Sequence, residues 1–167
     1  MVIDDSKTFT STAGTLIVAR GGAGAGGDGA KGWVNPGGTF NHNFGTVKVT
    51  ADADTELKEN DWFNITMNPA TTTRVYSFRD TTGNTIRILG DLTITTGEFE
   101  LYTATDTLAV HGNTYIAANG KFNNDANQTG GTITHHGLVT NLGTYKIDDI
   151  HVTMNGGMRQ LGTLTWA

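Results

Sequence analysis

The sequence predicts an all-β fold, a short parallel β-solenoid. Three observations favour it: a β-type composition, a repeat of about 23 residues, and strands with a strict period of two. Gly occurs 23 times and Pro twice in the 167 residues, and Thr and Asn are plentiful. Thr favours strands, whereas Gly and Asn favour tight turns. Ala, Leu, Glu and Lys never cluster with a 3.6-residue period, so long helices are not expected.

A short signature recurs along the chain: a glycine, any residue, and then an apolar or aromatic residue that opens a strand. Copies begin 24 residues apart at Gly14 and Gly38, and 23 residues apart at Gly97, Gly120 and Gly143. A looser copy follows 19 residues after Gly143. A repeat of this length is typical of stacked structural units, so we expect each copy to form one coil.

Aromatic residues recur at the same point of these units. A step of 23 residues from Gly38 reaches Asp61-Trp62-Phe63, where an aromatic residue again opens a strand. In coils stacked ~4.8 Å apart, equivalent residues lie above one another and form ladders. We therefore expect one interior aromatic column, made of Phe40, Phe63, Phe99, Phe122 and Tyr145.

Each coil is predicted to hold three short strands separated by turns that contain Gly or Asn. A second strand type lies at residues 90–94 and 112–116, with a weaker copy at residues 136–139. A third strand type is predicted at residues 86–88, 108–110, 132–134 and 150–152. Apolar residues alternate in these strands, which places one face of each in the core. We expect a right-handed coil, because crossovers between parallel strands are almost always right-handed.

Two segments break the period of the repeat. Residues 20–32 read RGGAGAGGDGAKG and are expected to form a surface loop, and residues 68–85 are expected to be irregular. A phosphate-binding loop needs Gly-Lys followed by Ser or Thr before a helix, whereas Lys31 is followed by Gly32. We predict a single domain over residues 1–167 with these two interruptions.

Composition and charge argue against several classes of partner. The net charge is −5 and the basic residues are scattered, so no nucleic-acid partner is expected. The chain has no cysteine, which excludes disulfides and thiolate metal sites. The first residues, MVIDDSK, lack the features of a signal peptide, and no apolar stretch approaches the ~20 residues of a membrane span. We expect no membrane partner and, if Met1 is native, no general secretory export.

Two stretches carry a family resemblance. Residues 33–47 read WVNPGGTFNHNFGTV and residues 88–99 read ILGDLTITTGEF. Both resemble units that are common in bacterial and phage β-solenoid proteins, and the resemblance extends over roughly residues 8–152. Proteins of this kind include adhesins, tail spikes, tail fibres and other virion surface proteins. The resemblance implies an architecture, and it assigns no functional residue.

Two sets of carboxylates are candidates for a glycan-cleaving pair: Asp148 with Asp149, and Asp52 and Asp54 with Glu56. Two carboxylates about 5–9 Å apart can cleave a glycosidic bond. Adjacent strand residues point to opposite faces, so the first pair would converge only at a turn. The basic residues nearest the irregular region are Arg74, Arg79 and Arg87. Solvated turns and edges are the favoured interpretation of both acidic sets.

Two groups of residues are candidate metal ligands. The first group consists of the imidazoles of His111, His135, His136 and His151, which neighbouring coils would bring close together. The second is residues 123–127, NNDAN, an oxygen-rich turn of the kind that binds Ca²⁺. An EF-hand needs Gly and Glu where this sequence has Gln128 and Thr134. We therefore expect no cofactor, with Ca²⁺ as a minor alternative.

Five aromatic residues were considered for stacking on sugars: Trp33, Trp62, Trp166, Tyr76 and Tyr102. Trp62 alternates with Asn64, which indicates a core position. Trp33 borders the Gly-rich segment, and Trp166 closes the apolar strand predicted at residues 161–166. We predict surface contacts at Trp33 and Trp166.

The architecture, the missing export signal and the resemblance together predict a non-enzymatic structural protein of a phage virion, of the spike, fibre or capsid-decoration type. Cell lysis would release such a protein, so it needs no export signal. The end layers of a short solenoid have unpaired strand edges that need a partner, so we expect a homotrimer or contact with other virion proteins. One alternative is a fragment of a bacterial cell-surface adhesin that binds glycans. A second alternative is a glycan lyase or hydrolase on the same scaffold.

Overall fold

The computed structural model describes residues 7–19, 39–57, 61–78, 85–101, 107–124, 131–148 and 150–166. Within these ranges the chain forms strands and turns, with no helix. All strand pairs are parallel, and equivalent residues such as Phe99, Phe122 and Tyr145 pair at a spacing of 23 residues. The predicted all-β parallel solenoid is confirmed.

The strands of the described ranges are, in chain order, β1 (Thr8–Thr10), β2 (Thr15–Val18), β3 (Thr39–Asn41), β4 (Thr46–Val49), β5 (Thr55–Leu57), β6 (Asp61–Trp62), β7 (Asn64–Met67), β8 (Val75–Phe78), β9 (Thr85–Ile88), β10 (Leu92–Leu101), β11 (Thr107–Val110), β12 (Thr114–Asn124), β13 (Thr132–His135), β14 (Val139–Asn141), β15 (Thr144–Ile147), β16 (His151–Met154), β17 (Met158–Gln160) and β18 (Thr163–Trp166).

These strands build three faces, named in the order in which the chain visits them. The first face carries the β1–β3 pair and the sheet β6-β9-β11-β13-β16. The second face is the sheet β2-β4-β7-β10-β12-β14-β17. The third face joins β5, β8, the later halves of β10 and β12, β15 and β18. The second and third predicted strand types lie on the second and first faces, and the copies of the first type at Gly97, Gly120 and Gly143 open strands of the third face. The copies at Gly14 and Gly38 were assigned wrongly, because the strands after them belong to the second and first faces.

The core is a column that the three faces enclose. Inward residues of successive coils pair directly: Val47 lies beside Ile65, Ile65 beside Leu92, and Leu108 beside Ile133. All five of these side chains are buried, and outward residues alternate with them. Each coil is too thin to bury its own apolar face, so the stack of coils creates the core.

An aromatic column runs through this core. Successive ring centroids lie 4.7–6.2 Å apart along it, in the order Phe9, Phe40, Trp62, Phe78, Phe99, Phe122 and Tyr145. The assignment of Phe63 to this column needs correction, because Trp62 occupies the interior position and Phe63 faces outward. Adjacent residues of a strand face opposite sides, so a slip of one residue exchanges them.

The recurrent glycines lie where coils approach most closely. A Cβ at Gly143 would lie 2.2 Å from the carbonyl oxygen of Gly120, which no side chain tolerates. At Gly97, φ is +79°, and the chain bends there within β10. Two strands that the repeat predicted separately therefore join across this bend into β10, and β12 runs through the equivalent corner.

The segment predicted to be irregular contains a regular strand. Residues 75–78 form β8, which pairs with β5 on one side and β10 on the other. Residues 79–84 of this segment, and the Gly-rich residues 20–32, lie outside the described residues. The Thr-rich turn at residues 71–73 made the short strand that follows it difficult to predict from the sequence.

Candidate functional site

The first two corners between the first and second faces, after Phe9 and after Phe40, have the same length and exceed the corner of the next coil. The Phe40 ring lies 5.1 Å from the Trp62 ring at an interplanar angle of 44°, and Val47 pairs with Ile65 in the next coil. Six residues separate Phe40 from Val47, whereas two separate Trp62 from Ile65. The corner after Phe40 thus has four residues more than the corner of the next coil, and it forms a turn at residues 42–45 in which Asn43 and Phe44 are exposed.

This turn has a strained backbone. Asn43 and Phe44 have φ values of 46° and 56°, in the left-handed region. Asn tolerates this region through local hydrogen bonds, but a bulky aromatic residue is a clear outlier there. The left-handed conformation costs about 1–2 kcal/mol for a residue with a Cβ.

Hydrogen bonds hold the strained turn in place. The Phe44 N–H donates to His42 Nδ1 at 3.0 Å, and the Gly45 N–H donates to the His42 carbonyl at 2.9 Å. The Asn43 N–H donates to Asn41 Oδ1 at 3.1 Å, and Asn43 Nδ2 donates to the Ser11 carbonyl at 3.2 Å. The turn is therefore fixed both to itself and to the preceding coil.

Three rings meet at this turn, and we call His42, Phe44 and Phe63 the aromatic corner. The His42 and Phe63 rings stack at 5.7 Å with an interplanar angle of 20°. Phe44 stands at 81° to both rings, at 5.5 Å from His42 and 5.4 Å from Phe63. Phe44 is 70% exposed. The corner thus presents an L-shaped apolar surface beside amide and imidazole groups.

The histidines weighed as metal ligands divide between the surface and the core. His111 and His136 stack outside at 4.6 Å with an interplanar angle of 9°, and His151 lies exposed on β16. Rings stacked in this way aim their nitrogens in parallel and do not converge on one ion. Within the described residues, no group of three or more His, Asp or Glu side chains is placed to hold a metal.

His135 points into the core, unlike its neighbour His136. Its Nδ1 lies 2.8 Å from Thr114 Oγ1, and its Nε2 lies 2.9 Å from the Tyr145 hydroxyl. Burial, and to a lesser degree the charge of His136, lowers the pKa of His135 from 6.5 to about 4. Burial likewise raises the pKa of Tyr145. The three side chains form a polar triad inside an apolar column.

The candidate catalytic carboxylates bind neighbouring groups of the scaffold. Asp148 is buried and bonds to Lys146 Nζ, while Asp149 lies outside the described residues. Asp52 pairs with Arg74 at 3.2 Å, and Asp54 accepts the Val75 N–H at 3.0 Å. Glu56 lies on β5, and Arg79 lies outside the described residues. Arg87 pairs with Asp61 through two hydrogen bonds of 2.7 and 2.8 Å.

The oxygen-rich segment is described only in part. Asn123 Nδ2 donates to Glu98 Oε1 at 2.6 Å, and Lys121 Nζ lies 3.5 Å from Glu98 Oε2. Residues 125–127 lie outside the described residues. The described part of this segment therefore connects adjacent coils through contacts with Glu98.

The aromatic residues weighed for sugar stacking occupy different environments. Trp62 is fully buried, and the buried Tyr76 hydroxyl donates to the Ala51 carbonyl at 2.5 Å. Trp166 is 65% exposed on β18, the last strand. Trp33 and Tyr102 lie outside the described residues.

The sequence repeat did not predict the aromatic corner. The signal that points to it is the string His42-Asn43-Phe44-Gly45, which places two rings outside the alternating strands on either side. No family model, curated protein or solved structure matches this chain. Among the described residues, no helix is long and apolar enough to cross a membrane.

Proposed function

We propose that this chain is a non-catalytic structural protein of a phage virion surface, of the spike, fibre or decoration type, and that it works as a homo-oligomer. The observation that carries the proposal is the last layer of the solenoid. β16, β17 and β18 pair with β13, β14 and β15 on one side, and within the described residues no strand covers their other edge.

The side chains of this last layer support an assembly contact. Trp166 is 65% and Leu161 61% exposed, and the inward side chains of Met154, Met158 and Leu164 are only partly buried. An uncovered strand edge with apolar neighbours pairs readily with another chain. A second and third copy are therefore the partners that we propose.

A scaffold role is also supported by how the carboxylates are used. Asp52 and Asp61 pair with arginines one coil away, at Arg74 and Arg87. Asp91 Oδ1 accepts the N–H of Asn113 from the next coil at 2.7 Å. These groups contribute to the stacking of coils, which is what a rigid virion component requires.

Light scattering on the full chain tests the proposal. We expect a mass three times that of the 17.7 kDa chain. Trp166→Glu should shift that mass to the monomer, because a charge would be buried unpaired in the contact. Leu89→Glu is the matched control, since Leu89 is exposed on the corner after β9, three coils away from the last layer. A monomeric wild-type chain, or equal loss of mass with both variants, would contradict the proposal.

A glycan-binding adhesin fragment is the second candidate function, and the exposed rings of the aromatic corner favour it. The gene distinguishes the two candidates. A long reading frame with an export signal would support an adhesin, whereas neighbouring capsid or tail genes would support a virion protein.

A further inference from the structure

We propose that the aromatic corner is a binding site for a neutral pyranose, with Phe44 as the platform for the apolar face of the sugar. The inference rests on the recognition role of the second candidate function and is independent of the assembly proposal. It assigns a ligand class and a position to that role.

The shape of the corner suits a sugar ring. Phe44 stands at 81° to Phe63 and His42, so one ligand can contact two surfaces at once. The faces of aromatic rings carry negative partial charge, which attracts polarised C–H groups. The C–H-rich face of a pyranose has such groups, and its edge carries hydroxyls.

The polar groups of the corner suit hydroxyls. His42 Nδ1 accepts the Phe44 N–H, so the ring proton lies on Nε2 and is a donor for a ligand. Asn43 donates one amide N–H to the Ser11 carbonyl, so its amide oxygen can accept from a ligand and its second N–H can donate. An imidazole and an amide match a neutral sugar better than a uronic acid, which a guanidinium would bind.

The backbone strain supports a ligand role for Phe44. The corner at residues 63–64 turns with two residues between the same faces, so rounding the corner does not require the left-handed turn. Strained conformations of non-glycine residues cluster at ligand-binding sites. The strain at Phe44 places an aromatic ring in solvent at a position where glycine would be easier for the fold.

Saturation-transfer NMR on the full chain tests the site, with methyl β-D-galactopyranoside as the probe and methyl β-D-glucuronide as the charged comparison. We expect saturation transfer to the ring C–H protons of the galactoside, with a Kd of about 1 mM. Phe44→Ala should weaken binding at least about tenfold. Tyr115→Ala is the matched control, because Tyr115 is another exposed aromatic residue, on the second face.

Phe44→Gly separates binding from folding. This substitution removes the platform and relieves the strain, so binding should be lost while Tm stays equal or rises. A fall in Tm in Phe44→Gly would show that the ring serves the fold, and it would overturn the inference. Absence of transfer to the galactoside at about 10 mM, or preference for the glucuronide, would also overturn it.

The two proposals fail separately. A monomeric chain that binds the galactoside through Phe44 retains this inference and removes the assembly proposal. A trimer without galactoside binding does the reverse.

Discussion

At the scale of single residues, the core contains a polar group where the repeat would place an apolar one. His135 pairs with Val110 and Met154 of the neighbouring coils, so it occupies an apolar column. Thr114 and Tyr145, which bond to it, come from the second and third faces. One side chain thus links all three faces of the solenoid through its two nitrogens.

This buried histidine makes stability depend on pH. Its pKa is about 4 in the folded chain and 6.5 when unfolded, so the unfolded chain binds more protons between these values. Stability should be complete above pH 6.5 and should fall by up to about 3 kcal/mol as the pH drops to 4. Urea unfolding at a series of pH values measures this loss.

Two variants isolate the contribution of His135. His135→Val should be less stable at pH 7, because the hydroxyls of Thr114 and Tyr145 lose their partner, but its stability should change less between pH 6.5 and 4. The exposed His136→Gln is the control and should keep the wild-type slope. If both variants retain the wild-type slope, then His135 is not the titrating group.

The aromatic corner could be predicted from the sequence only in part. The string at residues 42–45 is readable as an interruption of alternation. The position of its two ends depends on the pairing of Phe40 and Val47 with Phe9 and Leu16 of the preceding coil, which joins distant residues. Local patterns do not contain that information.

At the scale of elements, a ladder of side chains ties successive corners together. Asn64 Oδ1 accepts the Asp91 N–H at 2.8 Å, Asp91 Oδ1 accepts the Asn113 N–H at 2.7 Å, and Asn113 Oδ1 accepts the Leu138 N–H at 3.0 Å. Each corner thereby supplies a side-chain oxygen that accepts a backbone N–H from the corner of the next coil. The Asn and Asp residues that read as ordinary turn formers are links between coils.

Asp91 tests this ladder. Asp91→Ala should lower the free energy of unfolding by about 1 kcal/mol, because the Asn113 N–H loses its acceptor. Asp91→Asn keeps a side-chain oxygen at the same place and should remain close to wild type. Chemical denaturation of the two variants measures the difference, and equal losses would show that charge, not the acceptor, is what counts at this position.

Strand boundaries also depend on contacts between coils. The sequence predicts one strand at residues 90–94 and another opening after Gly97, whereas β10 (Leu92–Leu101) runs through both with Gly97 inside it. Pairing with β12 on both sides of the bend keeps the strand continuous despite a shift of register between Ile94 and Thr96. β8 was missed for a related reason, because pairing with β5 and β10 defines it more clearly than its composition does.

At the scale of the whole molecule, the columns of the core end differently in the last layer. The Ile94–Ile116 column ends in polar side chains: Asn141 Nδ2 donates to Gln160 Oε1 at 3.1 Å and to the Thr163 carbonyl at 2.8 Å. The other columns end in Met154 and Leu164, which are partly buried. Polar side chains thus close the Ile94–Ile116 column at this end, whereas the columns that end in Met154 and Leu164 present apolar side chains.

Association at this end should couple stability to concentration. If copies meet through the last layer, Tm should rise with protein concentration, because assembly stabilises only the folded chain. Trp166→Glu should remove that dependence, while the distant Leu89→Glu should retain it. Calorimetry over a hundredfold concentration range measures the effect, and a constant wild-type Tm would contradict association.

The sequence by itself determined the all-β class, the coil of about 23 residues, the three strand types and most of the aromatic column. These features follow from alternation and glycine spacing, which act locally and repeat along the chain. Only the tertiary structure decided that Phe63 faces outward, that His135 is buried, and that Phe44 in the turn at residues 42–45 is exposed. Each of those outcomes depends on register between coils, and a slip of one residue reverses the face of a side chain.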